Sequence, residues 1–462
     1  MHSDARTGEP TNHGVTLEKS ADALAKNHVT SVELVRASFD HAANLGNEAA
    51  NIFPYGFSET AMAEASRWDE DRAQGKAPRL AGIPISIKDN IARAREPLRA
   101  GSRFLEADQP ASRDAPLVDR LNSAGFVTIG RTNMTELAFS GLGLNPHFGT
   151  PANPAAPGRA PGGSSAGAAT SVAAGLVHAA IGTDTSGSCR IPAAFCGLVG
   201  FKPTAHRIPL PGVYPLSPSL DSVGVIANSV DCCAKIDAII AGGSPAPLDA
   251  TDRSRIRIAD LSGALLEDTQ PAVISAYGQA VVRLRAAGIG IETVTLDILS
   301  PIAAINCDGG FGAVELYRHL ADRLETVAER IDPRVLRRIR RGEAISDARY
   351  RQMVNARTAL IAWANDALDA YDAVIMPTVA IVPPPLDELR DDLAFDRFNM
   401  LALRNAGIAN ILDRCAISIP CHSASALPVG LTLMGPHNAD RALLSLATDL
   451  ESIIRFGHMN KQ

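Results

Sequence analysis

The chain has no surplus of one charge, no disulfide pattern and no membrane-length apolar run. Forty-four basic residues face fifty acidic ones, for a net charge of −6. That balance gives no footing for nucleic acid or an anionic lipid surface. Seven cysteines are an odd number without metal-binding spacing, and only Cys232 and Cys233 adjoin. They read as reduced, buried thiols of a cytoplasmic protein rather than a disulfide or zinc framework. The opening MHSDARTGEPTNHG is polar and lacks the apolar centre of a secretory signal. No uncharged apolar segment reaches the length of a membrane span. His147, His178 and His206 read as packed or rim residues, so a Ser–His–Asp hydrolase finds little support.

What the chain does have is a long buried-looking stretch, PGGSSAGAATSVAAGLVHAAIGTDTSGSCRIPAAFCGLVGFKP, from Pro161 to Pro203. No Asp, Glu, Lys or Arg interrupts it from Gly162 to Thr183. A segment so small and uncharged is expected inside, where its hydroxyls need partners or do chemistry. Gly beside Ser allows turns that aim several backbone N–H groups at one point, which suits a developing oxyanion. Ser164 and Ser188 each end such a turn. The Ala-rich run between them predicts a helix, then a short strand over 179–182 that returns the chain. A serine needs a base, and IPISIKDNI supplies one: a buried strand over 83–87 ending at Lys88, whose amine burial would hold neutral.

Elsewhere the pattern alternates strand and helix, as α/β folds do. Helices are expected over 30–43, capped by Ser31, over 59–75, 115–124, 232–241, 270–287, 314–329, 333–341, 346–370 and 441–456, and one starting at Asn133. Strands are expected over 127–130, 221–230, 255–259, 290–294, 373–376 and 430–434. The Arg337, Arg338, Arg340 and Arg341 cluster reads as the solvated face of its helix. Residues 1–15 are expected to be disordered. The wide separation of Lys88 from the serines argues that 16–462 form one large domain.

GGSSAG, then GTDTSGSCRIPAAFCGLVGFKPT, with IPISIKDN upstream, resembles the amidase signature family of serine hydrolases. Gly130–Pro154, Ser219–Val230, Tyr371–Leu386 and Leu427–Pro436 extend the resemblance through most of the chain. It implies a mixed central β-sheet covered by helices on both faces, and no cofactor or metal. It also implies a triad: Ser188 as nucleophile, Ser164 as bridging serine reached through a cis peptide from Gly163, and Lys88 as base. The N–H groups of Thr185, Ser186, Gly187 and Ser188 would form the oxyanion hole, with Ser165, Asp184 and Arg190 fixing the loops. Ala166, Ser186 and Cys189 stand where the family more often has Gly, Gly and Ile or Val. None replaces a triad group, and Cys189 reads as structural because adjacent side chains diverge.

Met134, Phe139, Gly163, Arg207 and Tyr214 are the candidate substrate-binding residues. The expected function is hydrolysis of aryl or alkyl amides or carbamates, of urethane or anilide type, by a small-molecule enzyme acting as monomer or homodimer. The alternative is the catalytic component of a glutamine-dependent amidotransferase that works with partner subunits and tRNA. Against it, Ala402 stands where an acidic residue for free glutamine is expected, and Leu412–Cys415 fill the stretch that reads differently in those proteins.

Overall fold

A computed structural model describes residues 14–455. The segment expected to be disordered lies almost wholly outside them. Ten strands form one mixed sheet. In chain order they are β1 (Pro84–Lys88), β2 (Val127–Thr132), β3 (Ala179–Asp184), β4 (Val199–Lys202), β5 (Ser222–Ala227), β6 (Arg257–Asp260), β7 (Gly290–Thr293), β8 (Ala373–Pro377), β9 (Ala416–Pro420) and β10 (Gly430–Met434). They lie side by side as β2-β1-β3-β5-β4-β9-β10-β8-β6-β7. β1 runs parallel to both β2 and β3. The centre, from β3 to β8, is antiparallel, and β8, β6 and β7 are again parallel.

Strand periodicity explains how helices cover both faces. Ile181, Val223, Val225, Ile375, Ile417 and Leu431 enter one core with the helices Pro116–Ser123, Val230–Ile240, Pro271–Ala286 and Asp440–Ile454. Their neighbours along the strands point the other way. Ala180 and Ile226 meet the Ala166–Ala173 helix, while Val374, Met376 and Met434 meet Asp347–Leu368 and Asp392–Ile411. The small residues of 166–173, all buried, let that helix lie close beneath β1 and β3. No described helix is long and apolar enough to cross a membrane.

Three local expectations are corrected. The helix expected from Asn133 is only a single turn, Glu136–Ala138, with Leu137 at φ 51° and Ala138 at φ 60°. Asn133 folds its amide onto the Asn51 and Gly149 carbonyls instead of starting a helix, and the buried Glu136, which accepts from the Asp332 N–H, is followed directly by the two positive-φ residues that end the turn. The helix at 31–45 is capped by Thr30, which shares a reciprocal capping box with Glu33; Ser31 is its first residue. The span 314–329 divides into Gly310–Leu320, Leu324–Val327 and a short 3₁₀ turn.

Candidate active site

Because β1 and β3 are parallel neighbours, their carboxyl ends meet at one edge, where sites form in such sheets. Lys88 ends β1, and Thr183 and Asp184 end β3. Lys88 Nζ lies 2.7 Å from Ser164 Oγ and 2.8 Å from Thr183 Oγ1, and Asn90 Nδ2 donates to the same threonine oxygen at 3.0 Å. Lys88 is fully buried, and that desolvation lowers its pKa to about 8, against the partial support of Asp184 and Asp221. As the ammonium it donates to both hydroxyls. As the free amine it can accept the Ser164 proton.

Ser164 follows a cis peptide bond from Gly163, and the Thr135 N–H donates to its carbonyl at 3.0 Å. The Ser165 N–H donates to the Ser188 carbonyl at 3.2 Å, which sets the second serine turn against the first. Ser165 Oγ donates to the Thr183 carbonyl at 3.3 Å. Ser188 is 3% exposed, lines the adjoining cavity and makes no side-chain hydrogen bond among the described residues.

The 185–189 turn is held from beneath by a buried ion pair. Arg190 grips Asp184 with two bonds, Nε to Oδ2 at 3.1 Å and Nη2 to Oδ1 at 3.0 Å. Asn410 joins them, accepting from Arg190 Nη2 at 2.7 Å and donating to both Asp184 Oδ1 and the Asp184 carbonyl at 3.0 Å. Burial opposes the Asp184 charge, but Arg190, Lys202 and Asn410 outweigh it and hold the carboxyl well below its usual range. That carboxylate accepts from the Gly187 N–H at 2.8 Å and the Cys189 N–H at 3.1 Å.

This corrects the expected set of four oxyanion donors. The Gly187 N–H is already committed to Asp184, and Gly187 does not line the cavity. The N–H groups of Thr185, Ser186 and Ser188 have no protein acceptor among the described residues, and all three residues line it. Gly187 instead makes the turn possible. Its φ is 111°, and a Cβ there would meet Ala406 Cβ at 2.4 Å. Ser186 needs no such freedom. Thr185 is tied down through Oγ1, which donates to Asp221 Oδ1 at 2.5 Å; burial pushes Asp221 up to about 6. Burial and the Asp184 charge push the Cys189 thiol up to about 12, so it is no thiolate nucleophile.

The cavity in front of Ser188 measures about 510 Å³. Its walls are mostly apolar, with Leu216, Leu220, Leu299, Phe311, Leu403 and Ile411 among them. Of the residues expected at substrate, only Phe139 lines it. Met134 is packed in the core beneath, and Gly163 is buried with its N–H donating to the Gly141 carbonyl. Tyr214 stands edge-on to His319 in the same apolar cluster as Met134. Arg207 is turned away altogether. It pairs with Asp237 at 2.9 Å and lines a separate depression with Arg441. Its loop is proline-rich and lies near the motifs in sequence, but its charge is claimed by helix Val230–Ile240. His178 is packed, with Nε2 2.6 Å from Ser20 Oγ.

Several site residues carry little or no signal in the sequence. Asn90 stands in the KDN motif two places after Lys88 and could have been found there. Thr183, Asn410 and Asp221 gain their roles only through tertiary contact. Arg338 and Arg341 line the cavity, whereas Arg337 and Arg340 reach Asp396 and Glu325 in solvent. The Pro333–Arg341 helix therefore has a cationic inner side as well as a solvated one.

Known proteins share this sequence and fold. The family model named Amidase matches residues 33–444. The 2-amino-5-chloromuconic acid deaminase of Comamonas testosteroni is 35% identical over 454 residues, covering 96% of this chain and 97% of that one. A glutamyl-tRNA(Gln) amidotransferase component from Chloroflexus aurantiacus is 34% identical, covering 92% and 93%. The native peptide amidase of Stenotrophomonas maltophilia superposes with a TM-score of 0.80 at 27% identity, covering 95% and 97%. The chain therefore belongs to the amidase family, of the amidase-signature type, and is a hydrolase acting on carbon–nitrogen bonds.

Proposed function

We propose that this enzyme hydrolyses small aryl or alkyl amides or carbamates through an acyl-enzyme on Ser188. The observation that carries the reading is the buried Lys88 amine, 2.7 Å from Ser164 Oγ with its pKa lowered to about 8. An amine so placed is a base at mildly alkaline pH without any histidine. In the first step neutral Lys88 takes the Ser164 proton while Ser164 takes that of Ser188. Ser188 Oγ bonds to the substrate carbonyl carbon, and the oxyanion leans on the free N–H groups of the 185–188 turn. Collapse breaks the C–N bond, and the proton held by Lys88 returns through Ser164 to the departing amine. Water, deprotonated by the same relay, then attacks the ester and frees the acid and Ser188. Ser188 Oγ has no side-chain partner among the described residues, which leaves it able to turn to Ser164 when substrate fills the cavity.

The amidotransferase reading is favoured by sequence similarity, such as the 34% identity to the Chloroflexus aurantiacus protein. Both are tested with the purified chain alone on anilides, carbamates, primary amides and glutamine. Turnover of an anilide or carbamate, lost in Ser188→Ala with the fold retained by circular dichroism, is the expected result. Activity confined to glutamine and dependent on partner subunits would sink this proposal, as would full activity in Ser188→Ala.

A further inference from the structure

The cavity in front of Ser188 carries three arginines, Arg338, Arg341 and Arg404, and no Asp or Glu among its lining residues. In an otherwise apolar pocket that is an unbalanced charge. The three differ in how far they are already satisfied. Arg338 donates to the Phe139 carbonyl at 2.8 Å and to Asp396 at 3.3 Å, a carboxylate it shares with Arg337. Arg404 donates only to neutral acceptors, among them the Glu267 and Leu265 carbonyls at 2.7 Å and Thr269 Oγ1 at 3.0 Å. Among the described residues Arg341 makes a single hydrogen bond, to the Cys307 carbonyl at 3.0 Å, and it is exposed. Among the described residues neither Arg341 nor Arg404 has a carboxylate within ion-pair distance.

The acidic groups near them do not line the cavity: Asp308 is hydrogen-bonded to Arg349 and feels the Arg341 charge only at longer range, and Glu267 and Asp268 act on Arg404 in the same way. Resting on the hydrolase reading above, we infer that the enzyme selects amides whose acyl chain ends in a carboxylate, received by Arg341 in the field of Arg404 and Arg338. The apolar walls would hold the hydrocarbon segment between that carboxylate and the scissile carbonyl. The planar fork of Arg341 is suited to a two-point hold on such a group. The substrate class is thus the monoamides of dicarboxylic acids.

The test compares a homologous series of straight-chain dicarboxylic acid monoamides with the alkanamides of matching length, following release of ammonia. For the best chain length, kcat/KM of the anionic amide is expected to exceed that of its neutral match by about tenfold or more. Arg341→Gln should collapse that ratio by about tenfold, chiefly through KM. Arg340→Gln, on the same helix but paired with Glu325 outside the cavity, should leave the ratio unchanged. A neutral amide cleaved as well as its anionic match, or a ratio indifferent to Arg341→Gln, overturns the inference. A parallel titration calorimetry experiment on the Ser188→Ala protein separates binding from chemistry. Preference for the anionic ligand there, lost on adding Arg341→Gln, sustains the anion site even if neither amide is turned over and the hydrolase reading falls. Equal binding of both ligands refutes the site itself.

Discussion

The chemistry turns on one amine. Lys88 is visible in the sequence because a buried strand runs straight into it, and the structure supplies what the sequence does not: its partners. A lysine with no carboxylate in contact and two hydroxyls within 2.8 Å has burial as the largest influence on its pKa, which falls to about 8. The sign follows directly. In the proposed mechanism the free amine is the working form, so kcat/KM should rise with pH through about 8 and fall about tenfold per unit below it. A pH–rate profile on an uncharged amide measures this, and a plateau extending unchanged into weakly acidic pH contradicts it. Cys189, next to Ser188, reads as structural from sequence, and its protonated, buried thiol agrees.

At the scale of the element, the 185–189 turn depends on both its glycine and the ion pair under it. Which residues would brace the turn is legible from the resemblance, in Asp184 and Arg190. That Asp184 also consumes the Gly187 N–H is not, because backbone donors carry no sequence signature. Removing the carboxylate by Asp184→Asn leaves Arg190 buried without its counter-charge, which costs on the order of 3–5 kcal/mol. Urea unfolding at neutral pH measures the loss. The pH dependence carries a second check. Asp184 is depressed in the folded state, so its stabilisation is complete above the ordinary carboxylate range of about 4 and lost as pH falls below it. Asp184→Asn should therefore flatten the acid side of the stability curve; an unchanged slope would place the acid sensitivity elsewhere. The helix Pro333–Arg341 gives the opposite lesson. Its Arg cluster looks uniformly solvated in sequence, since which arginines turn inward depends on how that helix docks against Gly310–Leu320.

Over the whole molecule, one sheet does the assembling. Its parallel β2-β1-β3 end supplies Lys88 and the serine turns, while the helices over its other half supply most of the cavity walls. The alternation of strand and helix patterns makes the α/β class readable, and the two serine turns single out Ser164 and Ser188, whose turns lie against each other beside Lys88. The cavity is not, because its lining comes from segments as distant as Phe139, Leu220, Phe311 and Arg404, and no local pattern links them. For the same reason Arg207 and Tyr214, close to the motifs in sequence, end outside it. Ser188 is nucleophilic, on this view, because a buried neutral amine acts on it through Ser164. Treating the intact protein with an alkyl fluorophosphonate across pH, and mapping the adduct by peptide mass spectrometry, probes that relay without any substrate. A single adduct on Ser188 is expected, formed at a rate that climbs through about pH 8 and is abolished in Lys88→Ala. An adduct on another residue, or labelling of Ser188 that is as fast without Lys88, would contradict it.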